Sequence, residues 1–295
     1  MFGVINIDKP LRYTSHDVIS QLRRILNIKQ IGHAGTLDPM AVGVLPVCIG
    51  KATRIIEYLY SDKAYRAYIK LGVSTDTLDA EGEIIEQKPV SYDEEAVKKI
   101  LAGFQGEIYQ KPPMYSAVHY KGKRLYEYAR ANINIEDIPE RKVNISRIEL
   151  IEVLEAGTPF PTVIIDIECS SGTYIRSIAA DLGEKLGCGA SLAYLIRTRA
   201  GKLKIEESKT LEELKHLKDK DLIEQAIINP VGIIDLIQHD IIQEELEKIS
   251  KGQYIKICDK ETLSGIEKIQ LVYENKLIGV ARIEEDRAYP VKVFI

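Results

Sequence analysis

The chain has 295 residues, 45% hydrophobic and 28% charged, and a net charge of -4. Length and composition describe a globular protein of one large domain or two, and the acidic balance excludes a uniformly basic nucleic-acid binder. Any affinity for RNA must therefore come from local patches. Such patches exist: residues 1–60 carry seven Lys and Arg against four Asp and Glu, and residues 111–130 carry five against one, whereas residues 206–224 carry four against seven. Cys48, Cys169, Cys188 and Cys258 are widely spaced with no CxxC pair, and the five histidines make no HExxH or similar cluster. That pattern fits reduced thiols rather than a disulfide framework, and it implies no metal. The N-terminus lacks a basic region followed by an apolar segment, and no apolar run approaches the roughly 20 residues of a membrane helix, so the expected location is cytoplasmic.

In chain order, residues 3–7 predict a short strand ending in the turn Asp8, Lys9, Pro10. A helix follows, with Ser15 as N-cap and Val18, Leu22, Ile25 and Leu26 on one face. Residues 31–54 then present one carboxylate, Asp38, after Gly32 and Gly35 and before Pro39, with twelve uncharged residues passing before Lys51. An acid set before an apolar run that turns at Gly43, Pro46 and Gly50 reads as a carboxylate at a dry wall, a candidate nucleophile or base. The plain alternative is a loop aspartate bonded to its neighbours. Residues 65–73 predict a strand and 75–82 a polar turn. Within that turn, Asp76, Asp79 and Glu81 lack EF-hand spacing and read as a polar hairpin rather than a metal loop.

Ser91 with Glu94 forms a capping-box pattern before a helix containing Ala96, Ile100 and Leu101. Lys111, Pro112 and Pro113 predict an extended loop leading to a helix around residues 125–129. Residues 143–154 and 162–169 read as neighbouring strands, and a helix is expected over 175–186 with Gly187 as its stop. Beyond Gly201, Thr210 and Glu213 cap a charged helix and Pro230 punctuates the chain. A helix from about residue 243 leads into strands at 254–257, 269–273, 277–283 and 291–294, enough for a small barrel. Strands and helices interleave without regular βαβ order, which predicts an α+β fold.

Five segments in order carry a resemblance: INIDKPLRYTSHDV near the start, GHAGTLDP around Asp38, KAYRAYIKLGVSTDTLDAEG (63–82), KPPMYSAVHYKGKRLYEYAR (111–130) and SSGTYIRSIAADLGEKLG (170–187). Together they resemble the tRNA pseudouridine synthase B (TruB) family over roughly the first 200 residues. The ending LIGVARIEEDRAYPVKVF is similar to the family's PUA-like C-terminal domain. Departures are small: Arg12 stands where the family has Gly, Ala34 where Thr is common, and His119 where Lys is frequent.

The resemblance implies a pseudouridine synthase fold of the α+β class, with a central mixed, mostly antiparallel sheet flanked by helices over residues 1–236, and a β-rich PUA-like RNA-binding domain over 237–295. It implies a tRNA pseudouridine(55) synthase, an isomerase that cleaves C1'–N1 of a uridine in the T-arm loop, rotates the base and joins C1' to C5. Such a reaction transfers no group and needs no cofactor, in keeping with a sequence that has no GxGxxG fingerprint after a strand and no P-loop.

By the same resemblance Asp38 is the catalytic acid and Tyr65 lies against the flipped base. Arg176 would pair with Asp38 and keep it ionised against the pull of burial. His33 would contact the RNA near the flipped nucleotide, with Lys9 and Tyr174 supporting substrate binding. Lys121, Lys123 and Arg124 suit phosphate contacts, which dominate affinity and make it salt-sensitive. The expected partner is tRNA alone, bound by a monomer with no obligate protein partner and no membrane. Two other readings compete: a noncatalytic tRNA-binding or folding protein, and a related synthase acting on ribosomal RNA.

Overall fold

The computed structural model describes residues 1–131, 133, 135, 137–257 and 265–295, so the reading of Cys258 lies outside the described residues. The chain begins β1 (Gly3–Lys9), α1 (Ser15–Leu26), β2 (Ile31–His33), β3 (Ala41–Ile49), a 3-10 segment (Gly50–Tyr58), β4 (Lys63–Leu71), β5 (Val73–Thr75) and β6 (Ile84–Gln87). Next come α2 (Glu94–Ala102), β7 (Gly106–Gln110), β8 (His119–Tyr120), β9 (Lys123–Arg124), α3 (Leu125–Arg130), β10 (Arg141–Leu154), β11 (Thr162–Cys169) and α4 (Ile175–Lys185). It continues β12 (Ala190–Ala200), β13 (Leu203–Lys204), α5 (Leu211–Asp219), β14 (Ile237–Asp240), α6 (Gln243–Ser250), β15 (Ile255–Lys256), β16 (Lys268–Tyr273), β17 (Lys276–Glu284) and β18 (Arg287–Val293).

Nine strands form one sheet with the main path β1-β3-β12-β4-β11-β10-β7, to which β2 and β13 add at β3 and β12. Only the β12 pairing with β3 is parallel; the other pairs are antiparallel. This is the mixed, mostly antiparallel sheet that the resemblance implies. β12, inside that sheet, is the longest strand that the sequence reading passes over, along with the shorter β2, β7 and β13. Its pairing with β4 shifts register between Leu192 and Tyr194 and again between Arg197 and Arg199. Buried Leu192, Leu195, Arg197 and Ala200 therefore follow no period of two, and the alternation that marks a strand is lost.

The run after Asp38 is also corrected: residues 41–49 are one strand, β3, and do not turn at Gly43 or Pro46. Gly43 has φ 96°, and a Cβ there would stand 2.4 Å from the Arg197 carbonyl oxygen. Glycine is what lets β12 lie beside β3 at that point. Two caps move. Thr14, not Ser15, caps α1, closing a capping box with Asp17; Asp93, not Ser91, caps α2. The Thr210 and Glu213 box holds.

Helices α2 and α4 bury Val97, Leu101, Ile178 and Leu182 against Ala67, Ile69, Ile165 and Leu192. Helices α1 and α5 bury Val18, Leu22, Leu211 and Leu214 against Ile5, Ile7, Leu45 and Val47. Each such fully buried side chain contributes about 1.5–3 kcal/mol. On the other face of β1 and β3, Val4, Val44 and Cys48 join Ala52 and Ile55 of the 3-10 segment and Leu277, Val280 and Phe294 of a second sheet. That second sheet has the order β14-β16-β17-β18-β15 and a core of its own around Ile249, Ile255, Ile269, Leu271 and Ile278. β14 is unanticipated, the strand expected over 254–257 shrinks to two residues, and the one at 291–294 is the end of the longer β18. Among the described residues no helix is long and apolar enough to cross a membrane.

Candidate active site

The loop between β2 and β3 carries Asp38, and the N-terminal turn holds it in place. Ser15, turned inward because Thr14 does the capping, accepts from Leu37 N at 2.9 Å and donates to Leu37 O at 3.2 Å. Arg12 N donates to Pro39 O at 2.9 Å. Arg12 itself sits at φ 67°, a left-handed conformation that explains glycine at this position of the resembling motif. Lys9 is 0% exposed. Its Nζ donates to Tyr13 O at 2.5 Å, Pro10 O at 2.9 Å and Pro39 O at 3.4 Å. A fully enclosed ammonium tied to three carbonyls cannot touch a substrate, so the expected binding role of Lys9 is corrected to that of a staple between turn and acid loop. Burial draws its pKa down to about 8, against the pull of Asp38.

Opposite the acid, α4 delivers Arg176 from its first turn. Gln110 on β7 fixes that turn, accepting from Tyr174 N at 2.9 Å and donating to Tyr174 O at 3.2 Å. Arg176 Nη2 lies 3.0 Å from Asp38 Oδ2, with side-chain exposures of 7% and 40%. Its Nη1 lies 3.3 Å from Asp79 Oδ2, and it also donates to Tyr115 O at 2.9 Å and Thr77 O at 3.2 Å. The β5–β6 turn is thus a hairpin, as expected, but Asp79 is part of the site rather than a solvated turn residue. Burial pushes the Asp38 carboxyl above its ordinary value; Arg176 draws it back, Asp79 pushes it up again and Lys9 lowers it slightly. The ion pair with Arg176 works against burial without reversing its direction.

Tyr65 on β4 is 8% exposed, and its hydroxyl lies beside the guanidinium of Arg197, its register partner on β12. Burial raises its pKa, so the phenol stays protonated. Tyr68, three residues on, belongs to the opposite face, where its ring meets Tyr194 edge-on at 5.7 Å.

Two cavities meet at the acid. An inner one of about 360 Å³ is lined by Tyr65, Lys63, Tyr174 and Leu195 among others. An outer one of about 840 Å³ is lined by His33, Asp79, Arg124, Tyr126 and Arg130 among others. Thr36, Leu37, Asp38, Ser116, Ala117 and Arg176 line both and form the neck between them. Both volumes fall in the range of ligand sites. His33 sits half-buried with Nδ1 unpartnered, and burial followed by Arg197 lowers its pKa, which favours neutral imidazole.

The basic hairpin β8–β9 stands at the rim. Lys121 lies over Tyr120 at 5.1 Å, and Lys123 and Arg124 lie over Tyr128 and Tyr126, each at 6.0 Å. Of the three, Arg124 lines the outer cavity, and the two lysines are exposed on the hairpin outside its lining. No group of His, Cys, Asp and Glu among the described residues could hold a metal ion. The structure thus gathers Asp38, Tyr65, Arg176 and Tyr174 at the inner cavity and His33 and Arg124 at the outer one. It adds Asp79, which the sequence reading weighs only as a metal-loop or hairpin residue, and Leu195 and Arg197, which it does not single out. Asp79 could have been found in the quoted 63–82 segment; Leu195 and Arg197 lie outside every quoted segment.

Comparison with known proteins follows the same lines. A family model described as TruB family pseudouridylate synthase (N terminal domain) matches residues 23–175. A second, described as tRNA pseudouridylate synthase B C-terminal domain, matches residues 176–233, ending before the second sheet. A protein of Heliobacterium mobile named tRNA pseudouridine synthase B is 41% identical over 97% of this chain and 92% of its own length. One of the same name from Moorella thermoacetica is 43% identical over 97% and 95%. Among solved structures, one in a Cbf5-Nop10-Gar1 complex aligns with a TM-score of 0.73 at 27% identity, covering 100% of this chain and 84% of that one.

Proposed function

This chain belongs to the TruB family of pseudouridylate synthases, and from that premise we propose that it isomerises the uridine at position 55 in the T-arm loop of tRNA. The activity is that of a tRNA pseudouridine synthase, an isomerase. The outer cavity receives the RNA strand and the inner cavity receives the flipped base, which leaves the ribose at the neck, against Asp38. Flipping costs a few kcal/mol of stacking, and the ring of Tyr65 recovers part of it.

Cleaving C1'–N1, turning the base and joining C1' to C5 conserves every atom except for an exchange of protons: C5 loses one and N1 gains one. Hydrolysis of a glycosidic bond uses two carboxylates because water must be activated as the leaving oxygen is protonated. Here the base stays bound, and the single acid Asp38 works at the sugar or the base while Arg176 fixes its orientation. His33 and Arg124 contact the strand from the outer cavity, and Lys121 and Lys123 take phosphates beyond it. Residues 1–236 carry the chemistry; 237–295 form a PUA-like RNA-binding unit. The protein works in the cytoplasm as a monomer.

The observation that supports this reading is the 3.0 Å pair of Asp38 and Arg176 at the neck between two cavities. An unmodified tRNA transcript, incubated with the purified protein in chelator and without cofactor, should give pseudouridine at one loop position when mapped with carbodiimide. A protein that binds the transcript and leaves it unmodified is the noncatalytic binder instead.

A further inference from the structure

One buried arginine, Arg176, lines the inner cavity, and a second, Arg197, stands behind its wall residues Gly35, Thr36 and Tyr65; only the first is neutralised. Arg176 shares its charge between Asp38 and Asp79. Arg197 is 0% exposed and pairs with no carboxylate among the described residues. Its Nε donates to Val44 O at 2.6 Å, its Nη2 to Gly35 O at 3.1 Å and its Nη1 to Thr36 O at 3.5 Å, and it lies beside the Tyr65 hydroxyl. Strand register explains the position: Arg197 stands opposite Tyr65 in β4 and Gly43 in β3. A buried cation facing only neutral acceptors is costly to keep. Its three carbonyl contacts tie β12 to β3 and to the acid loop, but neutral donors could make them without the cost of a buried charge.

The reaction supplies a reason, and here the argument rests on the isomerase reading above. When C1'–N1 breaks with its electron pair going to N1, the base becomes an anion spread over N1 and its carbonyl oxygens. C5 then bonds C1', the C5 proton leaves, and N1 takes one up. That transient anion sits in the inner cavity, whose lining cations are Arg176, already shared between two carboxylates, and Lys63, whose Nζ is turned to Ser61 O at 2.8 Å.

We propose that Arg197 is a positioning residue for this step, fixing Tyr65 and the backbone of Gly35 and Thr36 and, through the Tyr65 hydroxyl, setting an unneutralised positive charge behind the departing base. Preorganised charge aimed at developing charge is among the largest contributions to catalysis. It also gives the central strand a part in the chemistry, because β12 is what carries the charge to Tyr65.

The test compares RNAs with uridine or 5-fluorouridine at the target position. Fluorinated uracil leaves more readily as an anion and so depends less on the charge. Single-turnover consumption of the target nucleoside is expected to fall about 100-fold or more in Arg197→Met on uridine. The loss on 5-fluorouridine should be at least about tenfold smaller, with RNA affinity near wild type and a circular-dichroism spectrum that shows a folded protein. Equal losses on both bases in a folded protein, or a near-normal rate on uridine, overturn the proposal. Should Arg197→Met not fold, Arg197→Lys keeps the charge: its preference between the two bases is expected to stay at the wild-type value even if both rates drop. A preference raised about tenfold in that variant overturns the proposal as well. Failure of the isomerase reading itself would look different, since wild type would then consume neither base.

Discussion

The neck of the site and its rim treat charge in opposite ways. At the neck every charge is paired and held: Arg176 is enclosed, bonded to two carboxylates and two carbonyls, and Asp38 rides on a loop stapled by Lys9 and Ser15. At the rim, Lys121, Lys123, Arg124 and Arg130 are cations without a carboxylate partner among the described residues, resting on tyrosine rings. Paired charges held in place set the geometry of a reaction. Unpaired, wet ones attract a polyanion and are screened by salt. The difference assigns turnover to the neck and affinity to the rim, and substitutions can break that division or sharpen it.

The acid itself aside, the largest effect is expected from Arg176→Met, which leaves Asp38 and Asp79 facing each other. Turnover should fall about 1000-fold or more. Stability should fall by about 2–4 kcal/mol, the loss being tempered by the solvent exposure of Asp38. RNA affinity should stay within about twofold; a folded variant with normal turnover would erase the distinction between neck and rim. Asp79→Asn comes next, with turnover down roughly 10–100-fold. Its pH profile carries more information. Asp79 pushes the Asp38 carboxyl upward, so removing its charge should move the acid limb of the rate profile to lower pH. An unmoved limb would mean that the limb belongs to another group.

At the rim, the double change Lys121→Ala and Lys123→Ala should weaken RNA binding roughly tenfold at low salt and flatten its salt dependence by up to about two units of slope, with turnover at saturating RNA unchanged. A drop in turnover at saturation would bring the rim into the chemistry. Arg12→Gly should have the smallest effect. It relieves a left-handed backbone worth about 1–2 kcal/mol, partly offset by glycine's greater freedom when unfolded, so thermal unfolding should show a gain of at most about 1 kcal/mol with turnover intact.

Much of the neck could be read from the chain before any coordinates. Asp38, Tyr65 and Arg176 lie in short segments whose local chemistry is distinctive, and a glycine-flanked acid is visible as such. The rest depends on tertiary context. Asp79 lies in a polar turn, DTLDAEG, and only the arrival of α4 makes it a partner of Arg176. Arg197 looks like a surface residue because arginine in a strand ordinarily faces water; two register shifts hide the strand and turn that side chain inward. Helix capping failed by small steps, since Thr14 and Ser15 are both good caps and the choice between them is set by Ser15 reaching Leu37. The second sheet was legible in outline, but its edge strand β14 is only four residues long and pairs in parallel with β16, a contact that no local pattern announces.

The central claim is that Asp38, beside Arg176, performs the isomerisation, and Asp38→Asn tests it most directly. Burial raises the Asp38 carboxyl, so its ionisation works against folding. Wild type should lose stability relative to the variant as pH rises through that displaced value, and the Asn protein should melt no lower than wild type at neutral pH. Assayed in single turnover at saturating tRNA with carbodiimide mapping, that folded variant should bind the transcript normally and form no pseudouridine; pseudouridine at the target position would contradict the account.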